Sequence, residues 1–367
     1  MLWIDKHRPR TLATLSYQPV LTSRLSSLST SPALPHLLFY GPPGSGKKTR
    51  ISAFLHSLFG SGAEKVKLEQ RTFKVTTNGK TKKEIDVNML SSSYHIEINP
   101  GESGLDDRYV VQEVIKEIAA SGPIFRDNSS ANGGEGNGIN FKVVVLMEVD
   151  RLSKQAQAAL RRTMEKYSHS CRLILCCTNQ SKVIDPIRSR CLGIRVKSPT
   201  VDEIASCLTE IARKERVEIP AEVVAICSKG CTRNMRRAML MLEAWRVQSG
   251  GDGGGGSSSV IQKTDWEQYI SSLAKDITTE QSPQKLLIAR EKLYELLINC
   301  IPPDVILKTL TMELIGTLDD SLKGEVVGWA AFYDHRLSQG SKDIFHLEAF
   351  VAKFMQLYKS YLTNMFG

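Results

Sequence analysis

Apolar runs and polar breaks alternate through the first half of the chain. HLLFY at 36–40 is a short apolar run, GPPGSGKK at 41–48 interrupts it, and TRISAFLHSLF at 49–59 resumes with helical spacing. That pattern predicts strand, glycine loop and helix in succession. Residues 60–98 read as strands and loops, with FKVTT and YHIEI rich in β-formers. DDRYVVQEVIKEIAAS at 106–121 predicts an amphipathic helix with an acidic first turn and with Tyr109 and Val110 on its outward side. FKVVVLMEVD at 141–150 is the continuous apolar run of a strand buried on both faces. SKQAQAALRRTMEKY follows as a helix with Ala156, Leu160, Thr163 and Tyr167 on one face, and RLILCC is another buried strand. Strands alternating with helices predict a doubly wound α/β domain ending near residue 197.

From residue 198 the period becomes wholly helical. VDEIASCLTEIARKE, AEVVAICSK and RNMRRAMLMLEAWRV make a small helical domain over 198–250. GDGGGGSSS at 251–259 reads as a flexible linker. Residues 260–367 are helical again, with Leu286, Leu293 and Leu297 on one stripe. RDNSSANGGEGNG at 126–138 is a polar, glycine-rich insert expected to be mobile. The expected organisation is an α/β domain over 1–197, a helical lid over 198–250, the linker, and an all-α domain over 260–367.

Composition narrows the partners. The chain has 367 residues, too many for one ordinary core, and a net charge of +9. Such a surplus suits a polyanion such as nucleic acid, or marks a basic protein without that partner. The eight cysteines lack paired CxxC or Cys/His spacing, so reduced buried thiols are expected and a metal site is not. MLWIDKHRPR carries no secretory pattern, and apolar runs such as VVVLM fall short of a bilayer, so an intracellular protein with no membrane partner is expected.

The sharpest motif is Gly41, Pro42, Pro43, Gly44, Ser45, Gly46, Lys47, placed between strand and helix. Backbone N–H groups of such a loop point at phosphate oxygens, the helix adds its positive end, and the lysine reaches the outer phosphates. The next position should carry a hydroxyl that holds magnesium, but it is Lys48. Thr49 follows, turned by about 100° on a helix and so directed elsewhere. The second anchor should be an acidic residue closing the 141–147 strand, where Met147 stands; Glu148 takes the place of the residue that polarises water. Both losses strike one ion on which phosphoryl transfer depends, so nucleotide binding with little or no hydrolysis is expected. Lys48 supplies positive charge in the metal's place on one reading. On the opposing reading, Glu148 or Asp150 shifts to hold magnesium.

Several cations are candidates for phosphate chemistry. Arg190, in SKVIDPIRSRC, is either an arginine finger for a neighbour's nucleotide or the partner of a local carboxylate. Arg236, with Arg237 as its rival, could reach from the lid to the γ-phosphate, or be solvated. Arg108 and Lys154 lie at helix starts, where backbone N–H groups also hold phosphates, or are surface charges. No aromatic-rich stripe points to base stacking, so any DNA contact would follow the backbone.

WIDKHRP at 3–9, PHLLFYGPPGSGKKT at 35–49, ALRRTMEKYS at 159–168 and SKVIDPIRSRC at 181–191 together resemble the small subunits of replication factor C, the eukaryotic clamp loader, within the AAA+ ATPases. The resemblance is close to about residue 250 and looser beyond. GKKTR, and EVD without a preceding Asp, are marks of the subunit 3 type. The resemblance implies an AAA+ α/β module of parallel sheet and flanking helices, a helical lid, and an all-α collar that joins a heteropentamer. It implies loading of the PCNA sliding clamp onto primer-template DNA, in the nucleus, for replication and repair. It makes Arg190 the finger acting in trans, Arg236 the lid sensor, and Lys6, His7, Arg8 and Pro9 the lining of an adenine pocket. ATP or ADP would be the bound nucleotide. The first sensor falls at Thr178 or Asn179, with Asn179 the guess, since the family's Asn is displaced by one position. The outward side of the 106–121 helix would face the clamp. The competing readings are a stand-alone ATPase acting on DNA and a scaffold that never holds nucleotide.

Overall fold

A computed structural model describes residues 1–31, 34–77, 81–101, 107–114, 117, 141–248, 264–340 and 342–366. The insert at 126–138 and the linker at 251–259 lie outside these residues. The chain divides into two compact units, Met1–Ile261 and Gln262–Gly367.

The first unit is built on a seven-stranded sheet of order β2-β3-β4-β5-β6-β1-β7. Its strands are β1 (His36–Tyr40), β2 (Lys67–Thr77), β3 (Thr81–Ser91), β4 (His95–Ile98), β5 (Lys142–Leu146), β6 (Cys171–Cys177) and β7 (Cys191–Arg195). β4, β5, β6, β1 and β7 are parallel, as the apolar runs predict. The long β2–β3 hairpin adds an antiparallel edge through β4. Both faces of the parallel part are covered. Leu38, Val144, Leu146 and Leu173 pack on one side with Ala156 and Leu160. Leu37, Phe39, Val143 and Ile174 pack on the other with Ile51 and Phe54. Alternate residues of one strand thus serve opposite cores, which is why the central strands β1, β5 and β6 are mostly apolar. Removing the ring of fully buried Phe54 would cost ~3–5 kcal/mol.

The expected helix over 106–121 is different where it is described. One α-turn, Asp107–Tyr109, passes into a π-helical stretch, Val110–Val114. This wider winding lets the adjacent Val110 and Val111 both bury against the sheet, with Tyr109 packed on the same core. The outward, clamp-facing placement of Val110 is therefore wrong.

Helices Val201–Glu215, Ala221–Gly230 and Met235–Gln248 form the lid. Thr200 and Glu203 close a capping box at its first helix. Its core of Ile204, Leu208, Val223 and Leu242 is completed by Trp3 and Tyr17. The N-terminal segment and the lid therefore share one core, although Trp3 and Thr200 are far apart in sequence.

Among the described residues the second unit has five helices, Asp265–Thr279, Pro283–Ile298, Pro303–Thr317, Asp320–Leu337 and Asp343–Phe366. Leu293 lies at the centre of its core beside Leu273, Leu310 and Phe350, with Leu286 and Leu297 at the margin. Among the described residues no helix is long and apolar enough to cross a membrane.

Candidate functional site

The loop 41–46 leaves the carboxyl end of β1, flanked by β6 and β7. Glycine is required at its turns. Gly41, Gly44 and Gly46 have φ of 154°, 69° and 79°. A Cβ on Gly41 would lie 2.1 Å from the Val196 carbonyl oxygen, and one on Gly44 would lie 1.7 Å from Asn234 Oδ1. Gly46 precedes the helix Lys47–Phe59, whose first N–H groups open toward the loop. The buried Ser45 hydroxyl donates to Pro42 O at 2.8 Å, and Pro43 completes the turn.

The loop is supported from below. The Tyr17 hydroxyl donates to Ser45 O at 2.6 Å. Arg50, with no exposed surface, donates to Tyr17 O at 2.7 Å and Thr22 Oγ1 at 3.2 Å, and its guanidinium lies 4.8 Å from the Tyr17 ring centre. Burial raises the Tyr17 phenol above its usual range against the opposing pull of Arg50. It also lowers the Arg50 guanidinium. The lid reaches the same loop: Met235 N donates to Gly44 O at 3.2 Å, and Asn234 caps its helix by accepting from Arg237 N.

Lys47 lies across the loop and donates to the carbonyls of Gly41 and Pro42 at 2.7 and 2.9 Å. Burial lowers its ammonium below the usual lysine range, and nearby Arg236 adds to this; Cys176, Cys177 and Asp150 oppose it. Arg236 is thereby a lid arginine whose charge bears on Lys47. A cavity of about 130 Å³ lies beside the loop, with Arg8, Pro9, Gly46, Thr49, Lys214 and Arg236 in its wall. His7 also borders it. Lys6 does not; its ammonium is drawn to Glu215 at 2.7 Å.

Lys48 points to the other side of the helix. Its ammonium pairs with the Glu97 carboxylate of β4. The pair borders a second cavity of about 480 Å³ together with Met147. Met147 packs on the core shared by Phe39 and Phe54. The charge offered above in the metal's place is therefore committed to a carboxylate. Asp150 is committed too: its Oδ2 accepts from the N–H groups of Thr178 and Asn179 at 3.2 and 3.1 Å. Glu148 has a left-handed backbone, φ 51°, and pairs with Arg151 at 3.2 Å. Among the described residues no group of three His, Cys, Asp or Glu side chains is arranged to hold a metal. The residues here do not fit a magnesium seat of the AAA+ kind, because its anchors are a paired lysine and a packed thioether. They do fit a nucleotide's phosphates, because the cradle depends on glycines that no side chain can replace.

Asn179 is not brought to the cavity. Its side-chain oxygen accepts from Ser181 N at 3.0 Å and Ser181 Oγ at 2.7 Å, capping the turn Gln180–Lys182. Arg190 is exposed beyond the helical turn Asp185–Arg188. It bonds Pro186 O at 2.8 Å and Glu165 at 2.7 Å, so the local carboxylate partner exists. Hydrogen bonds from Arg161 first, with Arg190 adding to them, hold the Glu165 carboxyl below its usual range. Arg108 and Lys154 do come together. Arg108 donates to Gln155 at 3.3 Å, while Asp107 accepts from Ser153 N and Oγ at the start of the helix Lys154–Lys166. All eight cysteines are free, and burial pushes Cys176 up to about 11 and Cys177 up to about 12. Cys176 and Cys177, buried in the sheet, are packing groups.

Sequence reasoning passed over Tyr17, Arg50, Glu97, Asn234 and Glu215. Only Asn234 carries a local signal, an amide directly before an apolar helical period.

The family description "Replication factor C subunit 3, C-terminal domain" matches residues 266–362. "RCF1/5-like, AAA+ ATPase lid domain" matches 206–247, and "DNA polymerase III, delta subunit" matches 17–200. The chain is 50% identical over 367 residues to replication factor C subunit 5 of Oryza sativa, covering all of both chains. It is 48% identical to replication factor C subunit 3 of Arabidopsis thaliana, again over all of both chains. Against replication factor C subunit 3 of Homo sapiens the identity is 47%, covering 99% of this chain and 98% of the relative. A solved structure of the Thermotoga maritima RuvB Holliday junction branch migration motor aligns at 16% identity with a TM-score of 0.47, over 78% of this chain and 85% of that one.

Proposed function

The chain belongs to the replication factor C subunit 3/5 family, the small subunits of a clamp loader of DNA replication, and we propose that it holds ADP or ATP with little or no hydrolysis while serving a neighbour's site through Arg190. The observation that carries the first half is the Lys48–Glu97 pair beside core-packed Met147. A hydrolytic site of this type needs a divalent ion to neutralise charge on the oxygens being separated. On this chain the two positions that would grip it are spent on an ion pair and on packing.

The phosphates would lie against the loop 41–46 and the first turn of the Lys47–Phe59 helix. Lys47 and Arg236 would supply charge, and Arg8 and Pro9 the wall beyond the phosphates, with Thr49 at the helix side. Bound nucleotide supplies the cavity with a polyanion and a base; the chain's own work is to orient them. Arg190 stands exposed on its turn, tethered by a surface carboxylate, a carbonyl and the Ser189 hydroxyl, and such a tether is exchanged at small cost. A phosphate group presented by an adjacent subunit is the stronger partner for it.

The partners on this reading are the other replication factor C subunits in a heteropentamer, the PCNA clamp, and primer-template DNA, in the nucleus. Arg108 and Lys154 at adjoining helix starts are the proposed DNA-backbone contacts. Arg190→Ala in the reconstituted complex tests the trans role. DNA-stimulated ATP hydrolysis at the adjacent site should fall about 10³-fold with assembly intact. Unchanged hydrolysis there would refute it. Single-turnover cleavage with the other sites disabled tests the silent site; brisk turnover would remove that half of the proposal.

A further inference from the structure

One carboxylate in the first unit gathers two cations and an imidazole. Glu215 is the last residue of the lid helix Val201–Glu215, and its side chain is only 9% exposed. Lys6 Nζ lies 2.7 and 2.9 Å from its two oxygens, His7 Nε2 contacts Oε1, and Arg246 Nη1 lies 3.8 Å from Oε2. A negative charge at a helix C-terminus has the wrong sign for the helix dipole. Its presence there is stabilised by these partners, two of which come from the N-terminal segment.

A second attachment lies just beyond. Trp3 N donates to both oxygens of Glu243 at 3.2 Å, and the Arg246 guanidinium lies 5.1 Å from the Trp3 ring centre. Arg246 thus touches both attachments. Between them and the phosphate loop lies the 130 Å³ cavity. Its wall takes His7, Arg8 and Pro9 from the N-terminal segment, and Glu210, Ile211 and Lys214 from the helix that Glu215 closes.

We infer that Glu215 is a positioning residue that latches the N-terminal segment to the lid and so sets the base-side wall of the nucleotide cavity. It touches no nucleotide itself. It acts by keeping the segment 6–9 in one place, so that the base meets a formed wall and not a mobile strand. The phosphate loop has supports of its own, from Tyr17, Arg50 and Met235 N. Loss of the latch should therefore weaken whole nucleotides and spare ligands that consist of phosphates alone. This inference rests on the nucleotide-binding reading above.

The test is photolabelling of this chain by 8-azido-ADP within the assembled complex, wild type against Glu215→Gln, with competition by ADP and by inorganic tripolyphosphate. The glutamine keeps the shape and removes the charge that holds the cations. Half-saturation by the label should move up about tenfold as the competent population of the cavity falls, and ADP should compete correspondingly less well. Tripolyphosphate should displace the label at the wild-type concentration. Equal labelling of both proteins overturns the latch. Equal loss of ADP and tripolyphosphate binding overturns it as well, since that is the mark of general unfolding. If Glu215→Gln fails to assemble, Arg246→Met, which leaves Lys6 and His7 in place, should show the same split at about threefold; no split there overturns the proposal. If the wild-type chain takes no label, the nucleotide-binding reading fails, and the two failures are thereby told apart.

Discussion

The helix that begins at Lys47 separates two cavities of opposite construction. On the loop side, Gly41, Gly44 and Gly46 carry positive φ, Lys47 lies across the loop, and Arg236 lines the cavity. On the β4 side, charge is already matched, Lys48 against Glu97, and a thioether lies on the core. Lys47 and Lys48 are neighbours of identical chemistry, yet one lies across the loop carbonyls and the other pairs with a carboxylate of β4. A helix start assigns partners by direction: about 100° of rotation separates a lysine on the loop from one on the β4 carboxylate.

The loop side breaks most severely. Gly44→Ala forces a left-handed backbone on a residue with a side chain and drives a Cβ into Asn234. Nucleotide labelling of this chain should fall on the order of 100-fold, or ~2.8 kcal/mol, with the other subunits still labelled. The β4 side can be sharpened by restoring its missing anchors. The double change Lys48→Thr and Met147→Asp should turn nucleotide affinity from magnesium-independent to about tenfold tighter in magnesium than in chelator, as read by titration in both conditions.

A smaller effect concerns pH. Burial holds the Lys47 ammonium below its ordinary range, so it begins to lose its proton below the usual 10.5. Only the protonated form attracts phosphate. Affinity should therefore weaken as pH rises through that lowered value, about threefold at the start of the alkaline limb, and Lys47→Arg should carry the decline upward. Stability moves the other way. Between the folded and unfolded values the unfolded chain holds more protons, so rising pH favours the folded state there. The smallest effect belongs to Lys48→Met. Both partners of its ion pair keep some exposure, 36% and 18%, so unfolding should become easier by only ~0.5–1 kcal/mol. Nucleotide affinity should not change, and a drop in it would show that Lys48 reaches phosphate after all.

Much of this was legible in advance. The runs HLLFY, KVVVL and RLILCC became β1, β5 and β6 because a strand covered on both faces must be mostly apolar. The glycine loop and its lysine were read from spacing, and Met147 and Lys48 stood out as misfits there. The sequence did not disclose where Lys48 sends its charge, because Glu97 is 49 residues away and joins it only through the sheet. It did not disclose Val110, because a local π-helical winding replaces the period on which the outward reading relied. Asn179 misled because an amide beside a strand end is equally suited to capping a turn, and here it caps one. Lys6 misled by a distance of one side chain: it borders the right region and turns to Glu215.

The buried Arg50 has a practical corollary. A guanidinium sealed beneath the loop draws on Tyr17 and Thr22, residues that precede the glycines by more than a full strand. The curve of the phosphate cradle is thus written partly upstream of the motif that names it. Transplanting 35–59 alone into a foreign scaffold would carry the letters of the motif and leave an orphaned cation in apolar surroundings; the portable segment begins at Tyr17.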